Sequence, residues 1–62
     1  MDPNATLSEL RDLLLSMQET RERAEVVDPE DIDRSIELFN ALDAWIGRGG
    51  FLPTAWLTSS MN

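Results

Sequence analysis

The junction Val26-Val27-Asp28-Pro29-Glu30-Asp31 constrains this chain more than any other stretch of it. A residue that precedes proline is pushed out of the helical region, so the backbone must turn at Asp28. The same residues then open a helix. Asp28 suits the N-cap, Pro29 suits the first helical position, where its missing N–H is not needed, and Glu30 and Asp31 meet the positive end of the helix dipole. From there Ile32, Ile36, Phe39, Leu42 and Ile46 step by four, three, three and four, an apolar face about four turns long. A helix is predicted over 29–47. Gly47, Gly49 and Gly50 stop it, since glycine costs about 1 kcal/mol inside a helix and readily takes the left-handed cap conformation.

A second periodic segment precedes the junction. Leu7, Leu10, Leu13, Leu14 and Met17 recur at spacings of three and four and share one helical stripe, with Leu15 off it. Thr6 and Glu9 have the spacing of a capping box, which sets the predicted start. Residues 1–5, holding Pro3 and Asn4, read as a flexible arm. The run from Gln18 to Glu25 is polar apart from Ala24, and Glu19 and Arg23 stand four apart, so the predicted helix continues over 7–25 with a solvated end.

Leu38 and Trp45 lie seven apart on a flank of the second apolar face, which makes that face wider than one partner helix requires. The tail Phe51-Leu52-Pro53-Thr54-Ala55-Trp56-Leu57 is too apolar to be free. Pro53 would let Thr54 to Leu57 form a short turn that folds back on the helices, so residues 51–57 are predicted to pack and 58–62 to be loose. The expected fold class is all-α: an antiparallel helical hairpin with a short C-terminal turn or helix. Leu7, Leu10, Leu14 and Met17 are expected to face Ile32, Ile36, Phe39, Leu42 and Ile46.

Composition enters where stability is concerned. At 62 residues the chain has room for one domain, and such a chain buries roughly 60% of the surface that its unfolded form exposes. Chains of this size usually lean on a disulfide, a metal or a partner subunit, and this one has neither cysteine nor histidine. Association is the remaining support, so the hairpin is expected to pair as a four-helix homodimer. The residues singled out for protein binding are Leu38, Trp45, Phe51, Leu52 and Trp56, because aromatic anchors carry much of the energy at interfaces and a symmetric dimer can use one cluster as core and interface at once.

Most chemistry is disfavoured. Asp28, Glu30, Asp31 and Asp33 invite a calcium site, but counting an EF-hand loop from Asp28 puts Ile32 at a ligand position and Asp33 where glycine is needed. No metal, cofactor or catalytic residue is therefore expected. The serines lack an elbow motif and a base partner, and two helices cannot enclose a pocket that would separate the pKa values of a carboxylate pair. Arg48-Gly49-Gly50 reads as a helix stop and not as a phosphate loop, since no Gly-Lys-Ser follows. Twelve acidic against five basic residues give a net charge of -7, which repels a phosphate backbone. The longest apolar runs are far short of the roughly 20 residues that span a bilayer, and Met1-Asp2-Pro3 does not open like a secretory leader. The expectation is a cytoplasmic protein with no direct nucleic-acid or membrane contact.

The stretch 38–56 ends a helix in Ala41-Leu42-Asp43-Ala44-Trp45 and continues through Arg48-Gly49-Gly50-Phe51-Leu52-Pro53 to Trp56. It resembles the C-terminal segment of small orphan proteins encoded by phages of mycobacteria and their relatives. The resemblance covers about a third of the chain and supplies no site residues. It implies a phage accessory protein, without an assigned activity, that acts in the bacterial host cytoplasm. The functional expectation is thus an acidic protein–protein interaction module that binds itself and a host or phage protein. Two alternatives stand beside it: an acidic decoy that mimics DNA, and a structural or assembly component of a virion.

Overall fold

The computed structural model describes residues 1–59, with side chains described through residue 57. The described chain is all-helical: α1 spans Pro3–Glu22, α2 spans Pro29–Gly47 and α3 spans Thr54–Ser59. The two long helices pack on one another as a hairpin. The predicted bounds of α2 agree with the structure. Its N-cap Asp28 accepts a hydrogen bond from the Glu30 N–H at 2.9 Å, with Pro29 in the first helical position.

α1 departs from expectation at both ends. Its N-cap is Asp2 and not Thr6. The Asp2 carboxylate accepts from the backbone N–H groups of Asn4 and Ala5, and Pro3 takes the first helical position. Of residues 1–5, predicted as a flexible arm, Asp2 is therefore the N-cap and Pro3 to Ala5 belong to the first turn of the helix. The Thr6 hydroxyl donates to the Asp2 carbonyl at 3.0 Å instead of capping. At the other end the helix stops at Glu22, three residues before the predicted Glu25. Ala24 takes a left-handed φ of 58°, which lets its N–H bond to the Arg21 carbonyl and lets the Glu25 N–H reach back to the Thr20 carbonyl. This closure is common at helix ends but normally uses glycine. The predicted Glu19–Arg23 pair does not form, because Arg23 has left the helix and donates to Glu25 at 2.6 Å.

The core is small. Leu7 and Leu10 of α1 and Leu38 and Leu42 of α2 are buried, with Leu13 and Ala55 packed against them. The α2 face turned toward α1 is thus the Ser35–Leu38–Leu42 line, with Trp45 half-buried at its end. It is not the Ile32–Ile36–Phe39–Ile46 line expected from periodicity. Ile32 is 42% exposed, Ile36 53% and Phe39 59%, and on α1 Leu14 is 50% exposed. Two features hold α2 in this rotation. Ser35 is small enough to admit α1 closely, and its hydroxyl is satisfied by the Ile32 carbonyl at 2.7 Å. Arg34, one position away, forks onto both carboxylate oxygens of Glu9 at 2.7 and 3.0 Å.

The molecule is consequently a single layer of α1 and α2 with α3 packed over one end of it through Ala55. Its principal extents are 38 × 26 × 15 Å, and a helix with side chains is itself 10–12 Å across. Its radius of gyration is 13.3 Å, against roughly 10.6 Å for a compact domain of this length. A single layer has two broad faces, and α3 covers one end of one of them.

Ala24 is the weak point of α1. A left-handed non-glycine residue costs about 1–2 kcal/mol, only part of which glycine gives back through its freer unfolded chain. Ala24→Gly is expected to stabilise the chain by about 0.5–1 kcal/mol in thermal or urea unfolding. A loss of stability would contradict the assigned helix end.

Candidate interaction surface

The two broad faces differ in chemistry. One carries Arg34, which pairs with Glu9 of α1 and, three positions along α2, with Glu37 at 2.7 Å. These are exposed side chains, so the pairs steer the packing more than they stabilise it. The Arg34 guanidinium holds the Glu9 carboxyl below its ordinary range, chiefly through the hydrogen bond. Glu9 in turn raises Arg34.

The opposite face is apolar. Ile32, Ile36, Phe39, Asp43 and Ile46 follow one line of α2 at spacings of four, three, four and three. Across from them Leu10 and Leu14 of α1 stand one turn apart. α3 closes one end: Trp56, Leu10, Phe39, Leu42, Asp43 and Ile46 line a groove of about 280 Å³. The groove lies on the apolar face, and Asp43 is its one charged wall.

The residues predicted to bind a partner are divided by the fold. Leu38, at 5% exposure, belongs to the core and presents nothing to a partner. Trp45 and Phe51 form an intramolecular lock at the end of α2. Their rings meet edge to face at 5.5 Å and 89°, and the Trp45 indole Nε1 donates to the Phe51 carbonyl at 3.0 Å. The intervening turn explains this. Gly49 takes a φ of 87°, its N–H bonds to the Ile46 carbonyl, and the Gly50 N–H reaches back to the Trp45 carbonyl. A Cβ at Gly50 would run into the indole of Trp45, so bare backbone there is what lets the ring lie down. Phe51 remains 60% and Leu52 38% exposed.

Trp56 stands apart from that lock, on the apolar face, because α3 is fixed differently. The Thr54 N–H donates to the Asn4 side-chain oxygen at 2.7 Å, Pro53 is fully buried, and Ala55 rests on the core. The short helix runs to Ser59, two residues past the predicted packed segment, so Thr58 and Ser59 are helical and not loose; the prediction for 60–62 lies outside the described residues. Trp56 is the one predicted binding residue that lines the groove. Sequence reasoning missed Ile36, Phe39 and Leu14 as surface residues because it assigned them inward. The polar Ser35 and the Leu38–Leu42 pair were the signal that a second inward line existed.

No helix among the described residues is long and apolar enough to cross a membrane. Compared with known protein families, curated proteins and solved structures, the chain matches none.

The Glu9–Arg34 pair makes a pH-dependent contribution with a definite sign. The folded state lowers the Glu9 pKa, so the stabilisation is present above the unfolded pKa and is lost as pH falls through the folded one. Thermal melts of Glu9→Gln and the parent chain should differ at neutral pH and converge as pH falls through the carboxylate range. A gap of constant size at all pH values would rule the pair out.

Proposed function

We propose that this chain is a protein-interaction module whose working surface is the apolar face built by Leu14, Ile32, Ile36, Phe39, Ile46 and Trp56. The observation that carries the reading is the rotation of α2. The most apolar line of the helix is left in solvent, while a less apolar line makes the core. Contiguous apolar surface of this kind marks a binding site on a small soluble chain. The exposed Phe39 and Trp56 are of the side-chain type that anchors interfaces. The resemblance of residues 38–56 to phage orphan proteins, which runs through α2, the glycine turn and α3, supports a phage accessory protein binding a host or phage protein in the bacterial cytoplasm.

The decoy reading needs carboxylates that are free and aligned. Three of the twelve carboxylates are tied within the chain, Glu9 and Glu37 to Arg34 and Glu25 to Arg23, and Arg11 and Arg21 interrupt the acidic residues of α1, which favours the interaction module over a mimic of DNA. A role as a virion component would use the same apolar face.

Replacing Ile36 and Phe39 together by serine tests the assignment. Because both side chains are more than half exposed, the doubly substituted chain should keep its helical circular-dichroism signal. It should lose the binding of an apolar reporter dye that the parent shows when dilute. Unfolding of the variant, or unchanged dye binding, would sink the reading.

A further inference from the structure

Two ridges border the apolar face, and their charges have opposite sign. On α1, spacings of three, four and three align Arg11, Leu14, Gln18 and Arg21. On α2 the same spacings align Asp33, Ile36, Asn40 and Asp43. Each ridge reads charge, apolar, amide, charge. Among the described residues the ion pairs are Arg23–Glu25, Arg34–Glu9 and Arg34–Glu37; the four ridge charges take part in none of them, and all four are exposed.

We propose that the occupant of this face is a second copy of the chain, laid down with α1 of one protomer against α2 of the other. Arg11 then meets the partner's Asp43, and Arg21 meets the partner's Asp33. This rests on the reading of the face as a docking surface and says what docks there. Symmetry selects the arrangement. In a face-to-face pair whose two-fold axis runs along the helices, α1 lies over the partner's α2 and antiparallel to it. The ridges carry charge at both ends, so they match in that direction. In the other two-fold arrangement, like helix lies on like helix, and Asp33 approaches the partner's Asp43 while Arg11 approaches the partner's Arg21. That stacking is repulsive at every one of these contacts.

The chain is more exposed than a compact monomer of its mass. The chain exposes 4674 Å², whereas a compact 7.0 kDa monomer exposes about 4,000 Å². The surplus of roughly 600 Å² belongs to the whole molecule, and Ile32, Ile36, Phe39 and Leu14 on the apolar face are among the large side chains that contribute to it. A partner with the chemistry of this same chain supplies both the apolar surface and the complementary charges, and the result is a four-helix layer pair with its apolar faces inside.

The test is charge reversal read by sedimentation equilibrium at low salt. The parent chain should sediment at twice its 7.0 kDa mass. Arg21→Glu alone and Asp33→Arg alone should each weaken association by roughly tenfold, because two favourable contacts per dimer become two repulsions. An equimolar mixture of the two variants should recover the parent affinity, since only the mixed dimer restores opposite charges at both contacts. The differences should shrink in salt on the order of 1 M, where the Debye length is about 3 Å. A parent chain that stays monomeric overturns the second copy while leaving the dye-binding test of the face intact. A dimer that both single variants tighten identifies the like-on-like stacking and overturns the arrangement, and so does a dimer that neither variant moves by about threefold.

Discussion

Four leucines hold this protein together, and everything else about it follows from how few they are. Leu7 and Leu10 meet Leu38 and Leu42 in one contact zone between α1 and α2. No other buried cluster exists among the described residues. The zone lies toward the end of the hairpin where α1 begins and α2 ends. α3 completes it there with Ala55, and Asn4 ties α3 to α1. The turn end relies on the caps: Asp28 holds the start of α2, while Ala24 closes α1 in a strained conformation. A hairpin built this way is firm at the end that α3 covers and thin at the turn end.

The rotation of α2 turns that scarcity into a surface. Each helix can offer only one line to the other. By giving the Ser35–Leu38–Leu42 line to α1, α2 leaves Ile32, Ile36 and Phe39 outside and Ile46 half-buried in the groove. Ser35 admits the close approach, Arg34 clamps it through Glu9, and Trp45 is held beside Phe51 by the glycine turn. The two broad faces thereby acquire different characters, one ion-paired and one apolar. The proposed interaction role uses that difference, as does the proposed pairing with a second copy through oppositely charged ridges.

Much of the architecture was legible in the sequence. Asp28-Pro29 marked the turn and the start of α2 because proline restricts the preceding residue and tolerates the first helical position. The same Asp-Pro pair at Asp2-Pro3 caps α1 by the same chemistry, whereas the capping-box spacing of Thr6 and Glu9 points to a later start. The end of α1 left no comparable mark, since an alanine with positive φ carries no sequence signature. The interaction surface was misplaced for a different reason. Periodicity finds apolar lines on a helix but does not say which line turns inward. α2 has two such lines, and the choice between them depends on tertiary partners such as Glu9, Ala55 and Phe51. Trp56 and Leu38 are both singled out for protein binding by the sequence; Trp56 lines the groove, whereas Leu38 is drawn into the core.

The central claim is the rotational register of α2, and solvent accessibility of individual side chains measures it directly. With the chain dilute enough to be monomeric, a soluble paramagnetic agent should broaden the side-chain NMR signals of Ile36 and Phe39 and spare those of Leu38 and Leu42. The reverse pattern, with Ile36 and Phe39 protected and Leu38 broadened, would place the other line of α2 in the core and contradict the account.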